Sequence, residues 1–199
     1  METYQLIDWY AKDEKDENYT KSYNIYAMGL SLNDESVAIK ITGFEPFFYV
    51  SIPEDWDELM CKKFIRSVKK EEDKNGKKLI GYCGGDLTGI TITRKCRFEG
   101  FTNNMKYKFM KLTFRTHNAS KTYARVIKTI VDKENYPMRL YESTLDPMLR
   151  FFHLTDFKPS GFIQMDPDES LEEDEKKFNV DHEYVIPWNE FESFESSKN

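Results

Sequence analysis

The sequence has few cysteines and no long apolar run. Its three cysteines are an odd number without a repeated spacing, so neither a disulfide framework nor a zinc site is indicated. The first ten residues lack a basic patch followed by an apolar stretch, and no window approaches the ~20 apolar residues of a bilayer span. These absences predict a soluble, intracellular protein with no membrane partner.

Signatures of nucleotide binding and nucleophilic catalysis are also missing. The glycine cluster at 84–89 lacks the Gly-Lys-Ser/Thr ending of a phosphate loop. His117, His153 and His182 have no Ser, Cys or paired carboxylate at the spacing of a catalytic triad. We therefore predict no catalytic residue and no cofactor in this chain.

One short motif leaves a metal-dependent alternative open. Asp181-His182-Glu183 matches a bare Asp-x-Glu pattern, and paired carboxylates can hold the two metal ions of a phosphodiester-cleaving site. A nuclease centred on Asp181 and Glu183 is therefore a hypothesis. We favour an exposed strand edge and predict no metal site, because the residues around the pair differ from those of exonucleases.

Charge is distributed unevenly along the chain, although the net charge is only -6. Residues 94–128 carry ten basic residues and one acidic residue, whereas 166–199 carry twelve acidic and three basic residues. Such asymmetry is typical of a module that faces nucleic acid. Basic side chains alternating with aromatic ones combine phosphate neutralisation with base stacking. The candidate nucleic-acid-binding residues are Arg94, Lys95, Arg97, Lys106, Tyr107, Lys108, Lys111 and Arg115.

A scaffolding role for the same stretch is the alternative, because at least half of its aromatic side chains are needed in the core. The chain has the material for such a core. Its 199 residues suit one larger or two small domains. Aromatic residues, which bury large areas, make up 15% of the chain.

The apolar pattern predicts an α+β fold with mostly antiparallel sheets and a few packed helices, including a small ferredoxin/RRM-like sheet-plus-helix unit. Strands are predicted where apolar residues alternate or cluster between turn residues. They lie at 3–10, 23–32, 36–41, 47–52, 79–82, 90–98, 106–115 and 178–186. Within 106–115 the alternation of apolar and polar residues is interrupted at Phe109-Met110, where two apolar residues are adjacent. This interruption predicts a β-bulge there.

Three helices are predicted from capping residues and apolar stripes. Asp55 is the predicted cap of a helix that buries Cys61, Phe64, Ile65 and Val68. Ser120 is the predicted cap of the next, with Tyr123, Val126, Ile127 and Ile130 inward. Asp146-Pro147 begins the third.

Composition suggests five segments. We expect a β-rich subdomain with one helix at 1–92 and a basic sheet-plus-helix subdomain at 93–165. An acidic linker at 166–177, a returning strand at 178–188 and a flexible tail at 189–199 complete the chain.

Two sequence lines carry a family resemblance. Residues 141–152 read Tyr-Glu-Ser-Thr-Leu-Asp-Pro-Met-Leu-Arg-Phe-Phe and are followed by Asp156 and by Ser-Gly-Phe-Ile at 160–163. Upstream, residues 43–53 read Gly-Phe-Glu-Pro-Phe-Phe-Tyr-Val-Ser-Ile-Pro. In this order the lines resemble the region of family B DNA polymerases that precedes the proofreading exonuclease domain. The resemblance is closest to the polymerase delta catalytic subunit and to polymerases of large double-stranded DNA viruses.

The resemblance implies a non-catalytic N-terminal module of a replicative DNA polymerase, as a split-gene product or a truncation. Neither the exonuclease signature nor the polymerase motifs occur in the chain, so Mg²⁺ is expected only in the full enzyme. The implied partners are the exonuclease and polymerase portion and template DNA, at a viral replication site in the host cytoplasm or nucleus. Glu142, Arg150 and Asp156 are the implied residues of the junction with the exonuclease domain. A stand-alone single-stranded DNA-binding protein is the alternative function.

Overall fold

The computed structural model describes residues 1–16, 18–96 and 104–191. In chain order the strands are β1 (Glu2–Lys15), β2 (Lys21–Ser31), β3 (Ser36–Thr42), β4 (Phe47–Ser51), β5 (Leu87–Cys96), β6 (Lys106–Phe114), β7 (Leu140–Tyr141), β8 (Phe162–Met165) and β9 (His182–Pro187). The α-helices are α1 (Glu58–Lys70), α2 (His117–Glu134) and α3 (Pro147–Thr155). This arrangement confirms the predicted α+β class.

The chain forms two units, and the first is built from both of its ends. Met1–Phe44 and Asp146–Asn199 make the first unit, and Glu45–Leu145 makes the second. The division expected from composition differs from this one. Its boundary between residues 92 and 93 falls inside β5, because composition contains no information about which distant strands pair.

The first unit contains a five-stranded sheet in the order β8-β1-β2-β3-β9. All neighbours are antiparallel except β3 and β9, which run parallel. β1 extends to Lys15, beyond the predicted end at residue 10, because its second half keeps pairing with β2 down to Lys21. The core of this unit contains Tyr4, Leu6, Ile25, Ile39, Ile41, Phe151 and Tyr184.

Aromatic rings close the core of the first unit beside α3. The Trp9 ring lies 4.8 Å from that of Phe152 and 5.7 Å from that of Phe157. Phe191, only 4% exposed, lies 4.9 Å from Phe157 and follows a 3₁₀ turn at Trp188–Glu190. The flexible tail predicted from residue 189 is therefore wrong for 189–191, because Phe191 packs into this cluster, and 192–199 lie outside the described residues.

The second unit contains a four-stranded antiparallel sheet in the order β5-β6-β4-β7. Helices α1 and α2 pack against one face, and both predicted helical stripes are buried there. The bulge predicted at Phe109-Met110 is wrong, because β6 pairs with both neighbours across this point without a register shift. Both side chains are buried because each face of the sheet is apolar at this point.

Two helices begin at residues other than those predicted. The Asp57 carboxylate, not that of Asp55, accepts the Met60 amide at 2.8 Å and caps α1. Thr116, not Ser120, caps α2, since its Oγ1 accepts the Ala119 amide at 3.1 Å. Asp146 caps α3 as predicted, with Pro147 in the first turn.

Other local predictions also need correction. The strand predicted at 79–82 is replaced by a 3₁₀ helix at Gly81–Gly85, because buried Cys83 and the glycines form a tight turn. β9 begins at His182, later than predicted, and the acidic segment 166–177 contains a 3₁₀ turn at Pro167–Glu169. Among the residues that the structure describes, no helix is long and apolar enough to cross a membrane.

Candidate nucleic-acid interface

The sheet of the second unit sorts the basic candidate residues between its two faces. Side chains alternate along a strand, so Met110 and Leu112 point toward the helices while Phe109 and Lys111 point the other way. The cross-strand register extends this alternation to β4, β5 and β7. We call the face without α1 and α2 the second face; its aromatic and basic residues are Phe47, Tyr49, Lys95, Tyr107, Phe109, Lys111 and Tyr141.

Cations of the second face lie over aromatic rings. Lys95 Nζ is 4.3 Å from the ring centroid of Tyr49, and Lys111 Nζ is 3.9 Å from that of Phe47. Each contact is worth about 0.5–1 kcal/mol at an exposed site. Phe109 stacks edge-on against Tyr141 at 5.3 Å. The rings therefore hold the lysine ammonium groups at defined positions.

Exposure decides which of these groups a ligand can reach. Tyr49 and Phe109 are only 7% and 3% exposed, so their rings serve packing and not base stacking. Lys95 is exposed, and Tyr107 and Lys111 are half-buried. Of the predicted residues, this face thus brings together Lys95, Tyr107 and Lys111.

Arg94 and Lys108 point to the helix face and have protein partners. Arg94 Nη2 lies 2.6 Å from Glu54 Oε2. Lys108 Nζ donates to the Glu54 carbonyl at 3.0 Å and also to the carbonyl of Trp56. These two cations thus attach the loop before α1 to the sheet, and the structure separates them from the second-face lysines.

The remaining basic candidates lie near the strand ends. Lys106 is exposed at the start of β6, opposite Cys96. Arg115 is half-buried just after β6, and its backbone N–H donates to the Asp86 carbonyl at 2.8 Å. Arg97 lies outside the described residues.

The Asp-x-Glu pair serves the fold of the first unit. Asp181 Oδ2 accepts the Ser36 amide at 2.7 Å and the Ser36 hydroxyl at 2.8 Å, and these hydrogen bonds lower the pKa of Asp181. Glu183 is 1% exposed, and its Oε2 accepts the amides of Lys177 and Phe178 at 2.8 and 3.0 Å. Each carboxylate therefore has its own protein donors.

A different titratable cluster has no counterpart among the sequence predictions. Glu2, Glu35 and His182 place their ligand atoms within 4.8 Å of one another, the only such group of three in the described ranges. His182 Nε2 lies 3.8 Å from Glu35 Oε2, and hydrogen bonding with Glu2 raises the pKa of Glu35. No local motif signals this cluster, because β1, the β2–β3 turn and β9 each supply one residue.

Comparison with known proteins identifies the relatives of this chain. No protein-family model matches it. A DNA polymerase of Acanthamoeba polyphaga mimivirus is 28% identical over 193 residues, covering 93% of this chain and 11% of the relative. A DNA polymerase of Pyramimonas orientalis virus is 28% identical over 82% of the chain and 13% of its own length. The chain is similar to one part of viral DNA polymerases.

More distant comparisons agree with the motifs at 43–53 and 141–152. The DNA polymerase delta catalytic subunit of Drosophila melanogaster is 20% identical over 69% of the chain. A family B DNA polymerase from Pyrobaculum calidifontis shares the fold, with a TM-score of 0.61 at 11% identity over 98% of this chain and 21% of that one. The resemblance to the N-terminal region of family B DNA polymerases is thus confirmed. The chain spans only about 11–17% of the curated viral relatives.

The residues Glu142, Arg150 and Asp156 are divided between the two units of the chain. Glu142 is exposed after β7, in the second unit, with a φ of 60°. Arg150 is buried in α3 and Asp156 ends that helix in a left-handed conformation, both in the first unit. Aspartate tolerates this conformation better than most residues. The Asp156 amide donates to the Phe152 carbonyl, which gives this motif position a helix-ending role.

Proposed function

We propose that this chain is the non-catalytic N-terminal module of a family B replicative DNA polymerase, which supports the exonuclease domain and contacts single-stranded template DNA. The observation that carries this proposal is the mimivirus match, which covers 93% of the chain but 11% of the polymerase. DNA-directed DNA synthesis and 3′–5′ exonuclease activity, with their Mg²⁺, then reside in the rest of the polymerase. The exonuclease and polymerase portion is therefore an expected partner of this chain.

Template contact is proposed for Lys95, Tyr107 and Lys111 on the second face. Each lysine that neutralises a phosphate releases counterions, and an accessible tyrosine ring provides a stacking surface for a base. The cation–π contacts of Lys95 and Lys111 support this role, because they hold two positive charges on one face. Arg94 and Lys108 take no part, since Glu54 and Trp56 engage them.

The test is a fluorescence-anisotropy titration of a labelled primer-template with a single-stranded overhang, at two salt concentrations. It uses this chain alone and together with the remaining polymerase portion. A Lys95→Gln/Lys111→Gln double variant is compared with Lys63→Gln/Lys70→Gln, which removes two exposed lysines of α1. The Lys95→Gln/Lys111→Gln variant should lose two single-strand phosphate contacts, which lowers the slope of log affinity against log salt concentration by about 1.4.

Equal salt slopes for the two double variants would contradict template contact by the second face. Tight binding by the chain alone, unchanged when the remaining portion is added, would favour the stand-alone single-stranded DNA-binding protein. A polymerase module instead predicts weak binding alone and tighter binding in the assembly.

A further inference from the structure

A groove in the second unit carries basic side chains that the second face does not use. It lies between segment 77–83 and the N-terminal half of α2 and has a volume of about 460 Å³. We call it the Tyr82 groove. Its polar and charged lining includes Lys77, Lys78, Tyr82, Asn118, Lys121 and Arg125, with no carboxylate among the lining residues.

The basic residues of the Tyr82 groove interact with acidic residues only at longer range, as where the charge of Lys77 helps the backbone amides of Lys77 and Asn75 to lower the pKa of Asp73. All four of its basic residues are exposed, and none forms an ion pair within the part of the chain that the structure describes. Elsewhere in this unit Arg94 and Lys133 do form such pairs. A concentration of cations without ion pairs, in a chain with net charge -6, creates a local positive potential that attracts polyanions.

An exposed aromatic ring stands at the edge of the same groove. Tyr82 is 78% exposed, and its hydroxyl accepts a hydrogen bond from Asn118 Nδ2 at 3.1 Å. Gly81 precedes it with a φ of +55°, a conformation that most other residues adopt only with strain. Cys83 follows and is buried. Buried Cys83 thus anchors the short 3₁₀ helix after Tyr82, and Gly81 turns the chain before it. The Tyr82 ring therefore points to solvent.

The basic surface continues across α2. A second groove of about 720 Å³ on the other side of the helix shares Lys121 and Arg125 with the first. Lys128 and Arg139 add positive charge there, against one acidic residue, Asp132. Lys121 and Arg125 are one turn apart and thus project side by side between the grooves. A ligand with several negative charges in a row can contact both grooves at once.

We propose that the Tyr82 groove and the adjoining surface of α2 bind a single strand of nucleic acid, with Lys121 and Arg125 on successive phosphates and a base stacked on Tyr82. A single strand offers phosphates and unstacked bases together, which matches the two kinds of group in the groove. Duplex DNA keeps its bases stacked, and an acidic peptide offers charge without a base. The choice of nucleic acid as the ligand rests on the proposed function. The position of the binding site in the Tyr82 groove does not depend on the second face.

The proposal is tested with the whole chain and three polyanionic probes. These are a labelled oligo-dT of about 16 nucleotides, a duplex of the same length and a polyglutamate peptide. Binding is measured by fluorescence anisotropy at two salt concentrations. The variants are Lys121→Gln/Arg125→Gln, Tyr82→Ala and Tyr82→Phe, with Lys63→Gln/Lys70→Gln as the charge-matched control. Circular dichroism melting confirms that each variant folds.

The double variant is expected to weaken oligo-dT binding about tenfold at low salt and to lower the salt slope by about 1.4, while the control keeps the original slope. Tyr82→Ala should weaken binding at least fivefold, since loss of one stacked base costs about 1–3 kcal/mol, and Tyr82→Phe should bind like the unchanged chain. Equal behaviour of the double variant and its control would overturn the proposal.

Three other outcomes would also overturn it. Preferential binding of the duplex would assign the groove to double-stranded DNA. Polyglutamate binding as tight as oligo-dT binding, with no effect of Tyr82→Ala, would assign it to an acidic protein segment. Loss of binding in Lys95→Gln/Lys111→Gln but not in Lys121→Gln/Arg125→Gln would refute the groove while leaving the proposed template contact of the second face intact.

Discussion

The Arg94 guanidinium lies 2.6 Å from the Glu54 carboxylate, and Lys108, directly across from Arg94 on β6, donates to the backbone carbonyl of the same Glu54. Two basic residues of one strand pair thus converge on the loop before α1. Lys95, which follows Arg94 in the chain, points to the opposite face of the sheet and lies over the ring of Tyr49. These consecutive basic residues therefore have different partners.

This relationship predicts opposite outcomes for two neighbouring substitutions. Arg94→Gln should change single-strand affinity less than twofold and lower the free energy of unfolding by under about 1 kcal/mol, because the ion pair is largely exposed. Lys95→Gln should reduce the salt slope of binding by about 0.7. Anisotropy titrations and urea unfolding measure the two effects. A larger loss of DNA affinity with Arg94→Gln than with Lys95→Gln would refute the division of roles.

Gly29→Ala is expected to destabilise the first unit. A Cβ at this position would collide with the backbone carbonyl of Gln5 on the neighbouring strand, and overpacking of this kind costs about 1–3 kcal/mol. Thermal melting should show a midpoint lower by about 5 °C or more. Gly85→Ala is the control, because a Cβ there has no neighbour within 4 Å. An unchanged midpoint for Gly29→Ala would mean that β1 and β2 are further apart than described.

The stability of the first unit should depend on pH through Glu14. Partial burial raises the pKa of Glu14, but hydrogen bonds from Lys12 and Tyr26 and the charges of Lys12 and Lys40 outweigh it and lower the pKa to about 2. Because the folded-state pKa lies below the ordinary value of 4.5, the stabilisation is present above pH 4.5 and is lost as the pH falls toward 2.

Replacing Glu14 with glutamine should therefore lower the free energy of unfolding at pH 7 by about 1–2 kcal/mol, a value reduced by partial solvent screening. The difference from the unchanged chain should shrink between pH 4.5 and pH 2. Urea unfolding at several pH values measures it, with Glu175→Gln on an exposed turn as control. A difference that stays constant with pH would exclude the ionised carboxylate as its source.

Glu183→Gln tests whether the Asp-x-Glu pair is structural. The buried carboxylate accepts two backbone amides, and hydrogen bonds to a charged group are worth about 1.5–3 kcal/mol. The variant should unfold at lower urea concentration, and trypsin should cleave it faster after Lys176 and Lys177, whereas Glu175→Gln should behave like the unchanged chain. Metal-dependent DNA cleavage by the unchanged chain that disappears in Asp181→Ala would instead support the nuclease hypothesis.

Much of the local structure and the family resemblance can be predicted from the sequence. The stripe from Cys61 to Val68 and the Asp146-Pro147 helix start follow from contacts within a few residues, which local periodicity and capping chemistry determine. The lines at 43–53 and 141–152 indicate the polymerase relatives through their residues and their order alone. The basic stretch is likewise evident from the composition of residues 94–128.

Tertiary structure alone decided which groups meet. Strand register places Arg94 opposite Lys108 and Lys95 opposite Tyr107, and the pairing of residues 1–44 with 162–187 builds one sheet from both ends of the chain. The tertiary structure also places Lys77 and Tyr82 beside α2, so that basic residues far apart in the chain line one groove. These juxtapositions join residues far apart in the chain, so the free energy that selects them comes from packing and long-range pairing. Local sequence patterns do not encode that choice.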